Sequence, residues 1–460
     1  MSAGGPDMQR LLKTIAWLET DRLAVNRLYQ LFLLGMFLLA AAILSLSALS
    51  GDSSMLIISD GKGYYSWLRS LALDGDLHFA NDYQLLYPPD PLPPEFEQVT
   101  PNGLVPNKYS IGLGLLEIPG FLLGHLLAKL TPYTADGVSL PYQLSITLWL
   151  VIFALASFYG LYVALTKLGV TKLIAAITCS VTILASNLFY YFTKEPAMVH
   201  LANAALINIL IFLSQVDLKR PAYHRSCRLL AGCLLGWLLI NRGSNLALLP
   251  FFLCIFWHDL RKSTIWTYVA GMGFMAGIYL ASLAALWGGF TVYSYKDEGF
   301  TGGLVGIVGT LLGDRHGLFI YHPLYLIFLL LNVWGLVEAI KTRDETRPDQ
   351  LKLSHLYLHL TILLSFLGLW MFNGNWWAWW FGDSFGNRGF IEILIPLMLG
   401  ATLVITQKLQ KLALAWQLGA IAIAGILIIS NFNLWAGYLL GQYPHDGNHT
   451  MFEAYFWFLS

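Results

Sequence analysis

The chain has 460 residues, of which 57% are hydrophobic and only 12% are charged. Soluble domains carry about 25% charged residues, so this composition excludes an ordinary soluble protein and indicates an integral membrane protein. The 27 basic residues balance the 27 acidic ones, and no nucleic-acid partner is expected.

Apolar runs recur along the chain at the length that a bilayer requires, which is about 20 residues for a helix. Residues 1–27 are polar and too long to lead a cleavable signal, so the first run is expected to remain as an anchor. One further run, 111–130, is ambiguous. The predicted spans are 28–49, 142–166, 173–192, 197–215, 229–241, 246–258, 265–288, 318–340, 354–371, 390–406 and 412–431.

The distribution of basic residues decides how 111–130 is interpreted, because lysine and arginine accumulate on the inner side of a membrane. If this run does not cross, 18 of the 27 basic residues lie inside, and 18 of the 27 acidic residues lie outside. If it crosses, the basic loops 217–228 and 341–352 face outward. We therefore predict an all-α polytopic membrane protein with about eleven spans, an inner N-terminus, and a re-entrant or interfacial helix over 111–130.

The long loops all fall on the predicted outer side. The largest is 51–141, for which we predict interfacial or re-entrant helices, including a short helix over 61–73 with Asp60 as its N-cap. Two further outer loops cover 289–317 and 372–389, and an aromatic tail covers 432–460. No segment indicates a separate soluble domain, so residues 1–460 are expected to form a single transmembrane domain.

Asp60 follows the first apolar run in a segment, 59–77, that crowds acidic, basic and aromatic side chains together. One interpretation is an N-cap that accepts a backbone N–H and has no other role. The alternative is a general base, or an acceptor-positioning group, for a hydroxyl that arrives at the membrane surface.

Several predicted outer cations stand beside a span end, next to glycine or an aromatic residue. Snorkelling anchors would be found mostly inside, so the outward position of these cations favours a function. Arginine holds phosphate through its planar fork and lysine acts as a point charge, which suits a phosphate or pyrophosphate headgroup. These residues are Lys108, Arg242, Arg315 with its neighbour His316, and Arg388.

Two other outer loops contain candidate substrate contacts. Glu195 has Lys194 and neighbouring arginines as alternative structural partners. The tryptophans around Trp377 fit an interfacial aromatic belt, although their position near Asp383 and Arg388 also suits stacking on a sugar. No phosphate-binding glycine loop, HExxH motif or paired cysteine spacing occurs in the sequence, which therefore indicates no cofactor; a divalent metal is a possibility that no motif supports.

The loop motifs resemble those of bacterial GT-C class membrane glycosyltransferases, relatives of the polyprenyl- or dolichyl-phosphate-mannose protein mannosyltransferases and of the lipid A aminoarabinose transferase. The likeness is carried by Asp-Gly-Lys-Gly-Tyr-Tyr-Ser-Trp-Leu-Arg-Ser-Leu at 60–71, followed by Asp-Gly-Asp-Leu at 74–77. It continues in the segments 107–112, 315–319 and 376–390. Many members of the family have a second acidic residue directly after the first-loop aspartate, whereas Gly61 stands there in this chain.

The resemblance implies a GT-C-like fold with an active site on the outer, periplasmic face of a bacterial inner membrane, and a polyprenyl-phosphate-linked sugar as donor. It also implies a first-loop aspartate as base, which matches Asp60. The acceptor is a glycan, a lipid or a protein. A lipid-linked oligosaccharide flippase or other envelope transporter is the alternative function, and an inactive scaffold is a third. The expected substrate contacts are Tyr64, Arg69, Glu195, Trp377 and Asp383, with Lys108, Arg242, Arg315, His316 and Arg388 on the donor phosphate.

Overall fold

The computed structural model describes residues 22–50, 55–216, 221–260, 263–290, 293–296, 298–342, 354–408 and 413–459. Within these ranges the chain is helical, with turns and loops between the helices and no strand. In chain order the α-helices are α1 (Arg22–Leu49), α2 (Asp60–Arg69), α3 (Ala80–Leu86), α4 (Gly112–Leu130), α5 (Leu140–Lys167), α6 (Lys172–Leu184), α7 (Leu188–Thr193), α8 (Val199–Ser214), α9 (Pro221–Asn241), α10 (Leu249–Ile255), α11 (Trp257–Leu260), α12 (Ile265–Trp287), α13 (Gly303–Leu312), α14 (Leu318–Tyr321), α15 (Leu324–Lys341), α16 (His355–Asn375), α17 (Ile391–Lys408), α18 (Leu414–Leu439) and α19 (Met451–Tyr455).

In the described part of the chain, eight helices are long and apolar enough to cross a membrane, as expected of an α-helical polytopic membrane protein. The count of eleven spans is not confirmed. Seven of the eight coincide with predicted spans, and the eighth is α4, for which length and hydropathy do not decide whether it crosses. Its re-entrant or interfacial placement stays a prediction. The eight are α1, α4, α5, α12, α15, α16, α17 with the preceding turn, and α18.

Four predicted spans are not among the eight candidate helices: 173–192, 197–215, 229–241 and 246–258. The run 246–258 is divided between a 3-10 turn (Gly243–Leu248), α10 and α11. The run 197–215 forms α8, which has only 16 residues. The run 229–241 is the C-terminal part of α9. Hydropathy locates these apolar segments correctly, but for 173–192 and 246–258 it does not show where the helix is interrupted.

The run 173–192 is interrupted after Leu184 and forms α6 and α7. Ser186 accepts a hydrogen bond from the backbone N–H of Leu188 at 3.2 Å. The side-chain amide of Asn431 donates to the carbonyls of Leu184 and Ser186, both at 2.9 Å. The break is tolerated because these side chains make hydrogen bonds to backbone groups that the interruption of the helix leaves unpaired. An apolar environment requires such bonds, since water is not there to replace them.

Of the eight candidate membrane helices, α17 is the most enclosed. In its most apolar 18-residue stretch 89% of the residues are buried, against 17% for α1 and 11% for α18. It packs against α6, α8, α15 and α16. The apolar side chains exposed on α1 and α18, such as Leu31 and Ile429, suit contact with lipid. The acidic residue Glu392 nevertheless lies in the first turn of α17 and is 1% exposed.

The predicted short helix in the first long loop is present as α2, and it packs against α4. It continues as a π-helical turn, Ser70–Asp74, and stops at Gly75, whose φ of 74° suits glycine. The N-cap role predicted for Asp60 is wrong, because Asp60 is the first helical residue and its carboxylate is bonded to other segments.

The C-terminal region also differs from the expectation of a tail over 432–460. Helix α18 extends to Leu439 and takes in the beginning of that range. The chain then turns and begins α19 with a capping box, in which Thr450 and Glu453 bond each other's backbone. The tail is therefore ordered against the ends of the bundle, with Tyr455 donating to the carbonyl of Ile320 at 2.7 Å.

Candidate active site

Asp60 stands at the start of α2, and its carboxylate faces two distant segments of the chain. Oδ1 accepts a hydrogen bond from the phenol of Tyr109, and Oδ2 accepts one from Nη2 of Arg388, both at 2.8 Å. The side chain of Asp60 is still 30% exposed. Ser59, just before it, has a φ of 52°, a strained region for a non-glycine residue that is typical of functional sites. The carboxylate is thus fixed in orientation and open to a ligand.

Tyr109 is held against α2 by the motif in which it lies. The Asn107 side chain donates to the carbonyl of Gly63 at 2.7 Å and accepts from the backbone N–H of Tyr109 at 3.0 Å. The indole of Trp67 donates to the carbonyl of Tyr109 at 2.9 Å. The ring of Tyr109 also packs on that of Tyr64, with 4.8 Å between centroids. These contacts aim the phenol at Asp60.

Arg388 is 7% exposed and directs only part of its guanidinium at Asp60. Its Nε and Nη1 are buried and have no hydrogen-bond partner among the described residues. A buried N–H without a partner costs about 1–3 kcal/mol, and more on a charged group. The two donors lie on different edges of the guanidinium, and each can donate to an oxygen of a bound anion such as a phosphate or carboxylate.

The loop just before Arg388 is fixed on both sides. The Asn387 side chain donates to the carbonyl of Trp379 at 3.1 Å, and the backbone carbonyl of Asn387 accepts from the side chain of Asn187 at 3.3 Å. Asn187 in turn accepts from the phenol of Tyr325 at 2.8 Å. The position of the guanidinium is therefore determined by the break between α6 and α7 and by the tryptophan-rich loop.

The charge state of Asp60 follows from its surroundings. Burial raises the pKa of the Asp60 carboxyl, but Arg388 and the Tyr109 hydrogen bond lower it. Lys108 and Arg242 lower the pKa further, and the net result lies below the ordinary value for aspartate. Asp60 is therefore a carboxylate at neutral pH.

Arg242 adds a second cation to this cluster, at the entry to the 3-10 turn that follows α9. Its Nη1 lies 2.9 Å from Nε2 of His200, and its guanidinium carbon lies 5.5 Å from the ring centroid of Phe381. Its charge acts on both Asp60 and Tyr64. Since Arg242 is only half-buried, it is also available to a ligand.

Lys108 is close enough to act on Asp60, but its charge is compensated. Its ammonium lies 2.8 Å from Glu298 and 3.4 Å from Glu95. Burial lowers the pKa of Lys108, and these two carboxylates raise it to a net value above the ordinary one. Lys108 therefore ties the first long loop to the segment around Glu298.

Tyr64 and Glu195 also belong to the cluster. The charges of Asp60, Arg242 and Arg388 all act on Tyr64. Glu195 is 7% exposed; its Oε1 accepts from Tyr190 at 2.7 Å, and its Oε2 is buried with no partner in the described chain. Burial raises the pKa of Glu195 more than Tyr190 and Arg388 lower it.

His316 and Arg315 are placed differently from each other. His316 has its Nδ1 2.9 Å from the carbonyl of Trp380, and Arg388 is among the groups that act on it. Burial is the main cause that lowers the pKa of His316 to about 4, so the ring is neutral at pH 7. Arg315 is exposed, stacks on Trp380 at 5.1 Å and donates to Asn448 of the C-terminal region. Its contacts bind the tail and not Asp60.

Arg69 and Trp377 have contacts outside the cluster. Arg69 pairs with Asp74 and Asp82 at 2.7 and 2.8 Å, which fixes the fold of the first long loop. Trp377 is 44% exposed and donates to Glu298 at 3.2 Å. Asp383 is exposed. Their expected contact with a substrate stays a prediction. For Arg69, its ion pairs with Asp74 and the buried Asp82 argue against it.

Sequence reasoning missed two residues that the structure places in or beside the cluster. Tyr109 was part of a motif, but nothing in its spacing showed that it would bond Asp60. Glu392 bonds His200 at 2.9 Å, one side chain behind Arg242. The sequence did contain a signal for Glu392, because an acidic residue inside an apolar run is energetically costly unless it has a role.

Among the described residues, no group of three or more His, Cys, Asp or Glu side chains could hold a metal ion. No family model matches the chain, and no curated protein or solved structure matches it at the significance required. Membership of the glycosyltransferase family therefore stays a prediction from the loop motifs.

Proposed function

We propose that this protein is a membrane glycosyltransferase that moves a sugar from a polyprenyl-phosphate donor to an acceptor hydroxyl. The proposal is carried by the pair of Asp60 and Arg388, in which an accessible carboxylate is bonded to a buried guanidinium. Two N–H groups of that guanidinium have no partner in the part of the chain that the structure describes. A base next to an anion site suits a reaction with a hydroxyl nucleophile and a phosphate leaving group. The loop resemblance supports the same function, with the site on the outer face of a bacterial inner membrane. The distribution of basic residues supports an N-terminus in the cytoplasm.

In this proposal the acceptor oxygen attacks the anomeric carbon, and the bond between that carbon and the phosphate oxygen breaks. The bonding electrons leave with the phosphate, through an oxocarbenium-like state. Asp60 takes the hydroxyl proton and releases it to solvent through its exposed face. Arg388, with Arg242 beside it, stabilises the charge that builds on the departing lipid phosphate. The anomeric configuration is inverted.

We propose that Glu195 donates a hydrogen bond in this site through its buried Oε2, which has no partner among the described residues. This role requires the protonated acid, and burial raises the pKa of Glu195 in that direction. We expect Glu195→Gln to retain transfer within about threefold, since the amide still donates a hydrogen bond. Glu195→Ala is expected to lose about tenfold or more, as for a hydrogen bond to a charged group. Initial rates of transfer at equal amounts of folded protein measure the difference. Equal loss in both variants would contradict the donor role and indicate a requirement for the carboxylate.

Gly63→Ala is expected to disturb the cluster without removing any functional side chain. A Cβ at position 63 would lie 2.1 Å from Cδ2 of the Tyr109 ring, so the ring must move and its bond to Asp60 is lost. We expect transfer to fall by about tenfold. Gly35→Ala in α1 is the matched control, because a Cβ there meets nothing within 4 Å. Full activity of Gly63→Ala would show that Tyr109 does not orient Asp60.

The direct test of the function uses purified protein with a panel of polyprenyl-phosphate sugars that differ in the sugar. Glycan, lipid and protein acceptors are supplied with each donor. Release of free polyprenyl phosphate that depends on an acceptor supports the transferase. In sealed right-side-out vesicles, transfer from a donor added outside tests the predicted side. Movement of a lipid-linked sugar across the membrane with no release from any donor would support the flippase instead.

A further inference from the structure

Behind Arg242 lies a buried polar network that has no part in the reaction described above. Nδ1 of His200 lies 2.9 Å from Oε1 of Glu392, and the side-chain amide of Asn203 donates to the same oxygen at 2.9 Å. Asn241 donates to Asn203 at 2.8 Å. All four side chains are at most 3% exposed, although they lie among apolar helices. Buried polar groups of this kind are costly unless every member is bonded, so the network calls for a physical reason.

The proton positions in this network follow from hydrogen-bonding chemistry. A guanidinium can only donate, so Nε2 of His200, 2.9 Å from Nη1 of Arg242, must be the acceptor. The ring proton is then on Nδ1, which donates to Glu392. The bonds therefore run in one direction, from Arg242 through the imidazole to the carboxylate of Glu392.

This arrangement limits how Arg242 can move. The chain is extended at Arg242, where φ is −152°, and the guanidinium rests on the ring of Phe381 at 5.5 Å. A cation–π contact restrains the distance of the guanidinium from the ring, but it still allows the guanidinium to rotate over the face of the ring. The hydrogen bond to His200 fixes that rotation. The carboxylate of Glu392 also places a negative charge one residue behind the guanidinium, in a region of low dielectric where such a charge acts strongly.

We infer that His200 and Glu392 are positioning residues, which orient the Arg242 fork toward the phosphate of the lipid donor. The inference rests on the proposed function, because it takes the phosphate as the group that Arg242 meets. His200 and Glu392 are at most 1% exposed, so a donor at the site does not touch them and both act through Arg242.

The test measures the affinity of the full-length protein in nanodiscs for polyprenyl phosphate without a sugar. Asparagine at position 200 can replace the Nδ1 donor to Glu392 but does not reach Arg242, whereas glutamine presents an amide oxygen near the position of Nε2. We expect His200→Asn to raise the Kd about tenfold, which corresponds to about 1.4 kcal/mol. His200→Gln should restore binding to within about threefold of the wild type. Arg242→Ala should weaken binding at least as much as His200→Asn.

His359→Asn is the matched control, because His359 is also 1% exposed and lies 3.0 Å from an asparagine, Asn332, within the helix bundle. It is expected to cost similar thermal stability and to leave the Kd unchanged. A merely structural role for His200 predicts equal affinities for the Asn and Gln variants, and that result would overturn the inference. If Arg242→Ala weakens binding and His200→Asn does not, the inference fails while the proposed function stands. If the wild type does not bind polyprenyl phosphate, the proposed donor and the inference both fail.

Discussion

Asp60→Asn is expected to lower the rate of sugar transfer by about 10²–10⁴-fold, the range found when a general base is removed. The amide has nearly the same shape as the carboxylate and can still accept from Tyr109, but it cannot take the acceptor proton. Expression and thermal stability should remain close to those of the wild type, because the side chain is 30% exposed. Release of polyprenyl phosphate at saturating donor and acceptor measures the effect.

Asp90→Asn is the control for this substitution. Asp90 lies in the same loop and pairs with a lysine, Lys62, at 2.6 Å, but its side chain is 65% exposed. It should transfer sugar at nearly the wild-type rate. Wild-type turnover by Asp60→Asn would remove Asp60 from the chemistry and leave it a structural partner of Arg388.

Arg388→Ala is expected to weaken the binding of polyprenyl phosphate by about 10- to 100-fold, since hydrogen bonds to charged groups contribute about 1.5–3 kcal/mol. The affinity of Arg388→Lys for polyprenyl phosphate should be intermediate between those of Arg388→Ala and the wild type, because lysine keeps the charge but not the planar guanidinium. Arg228→Ala provides the control, as Arg228 is also a largely buried arginine paired with an aspartate, Asp259. Unchanged donor affinity in Arg388→Ala would contradict the phosphate site.

The same substitution predicts a change in pH dependence. Among the groups that lower the pKa of the Asp60 carboxyl, Arg388 has the largest effect. Burial acts in the opposite direction and raises that pKa. A general base works above its pKa, so wild-type transfer should not fall on mild acidification below neutral pH. Without Arg388 the pKa of Asp60 rises, and the acidic limb of the pH–rate profile moves to higher pH. An acidic limb at the same pH in wild type and Arg388→Ala would show that Asp60 is not the group being titrated.

The sequence alone was sufficient to find the membrane class and to single out Asp60. Composition and the recurrence of apolar runs are strong signals, because the bilayer fixes the length of a helix. Asp60 stood out because it begins a charged and aromatic segment directly after the first run. The cations at 108, 242 and 388 could be proposed from charge placement and local motifs, and the structure brings all three close enough to act on Asp60.

What the sequence could not give was the pairing between segments. Asp60 and Arg388 are 328 residues apart, and their contact depends on how the first long loop packs on the start of α17. Arg315 had a similar local motif, yet it bonds Asn448 in the tail. The charge on Lys108 looked available from sequence, but Glu95 and Glu298 from separate segments compensate it.

The predicted number of spans is not confirmed, for a related reason. Hydropathy averages over a window, so it does not register a break such as the one at Ser186, where the side chain of Asn431 from α18 bonds the freed carbonyls. The role of Glu392 was missed because one acid in an apolar run barely changes that average. Its partner, His200, comes from a different helix.

The central claim is that a lipid phosphate binds Arg388 beside the Asp60 carboxylate. A structure of the full-length protein in nanodiscs with bound polyprenyl phosphate tests this claim most directly. We predict a phosphate oxygen at about 3 Å from Nε or Nη1 of Arg388, with the Asp60 carboxylate facing the space where the sugar is attached. A phosphate bound elsewhere, with those two N–H groups still free of it, would contradict the account.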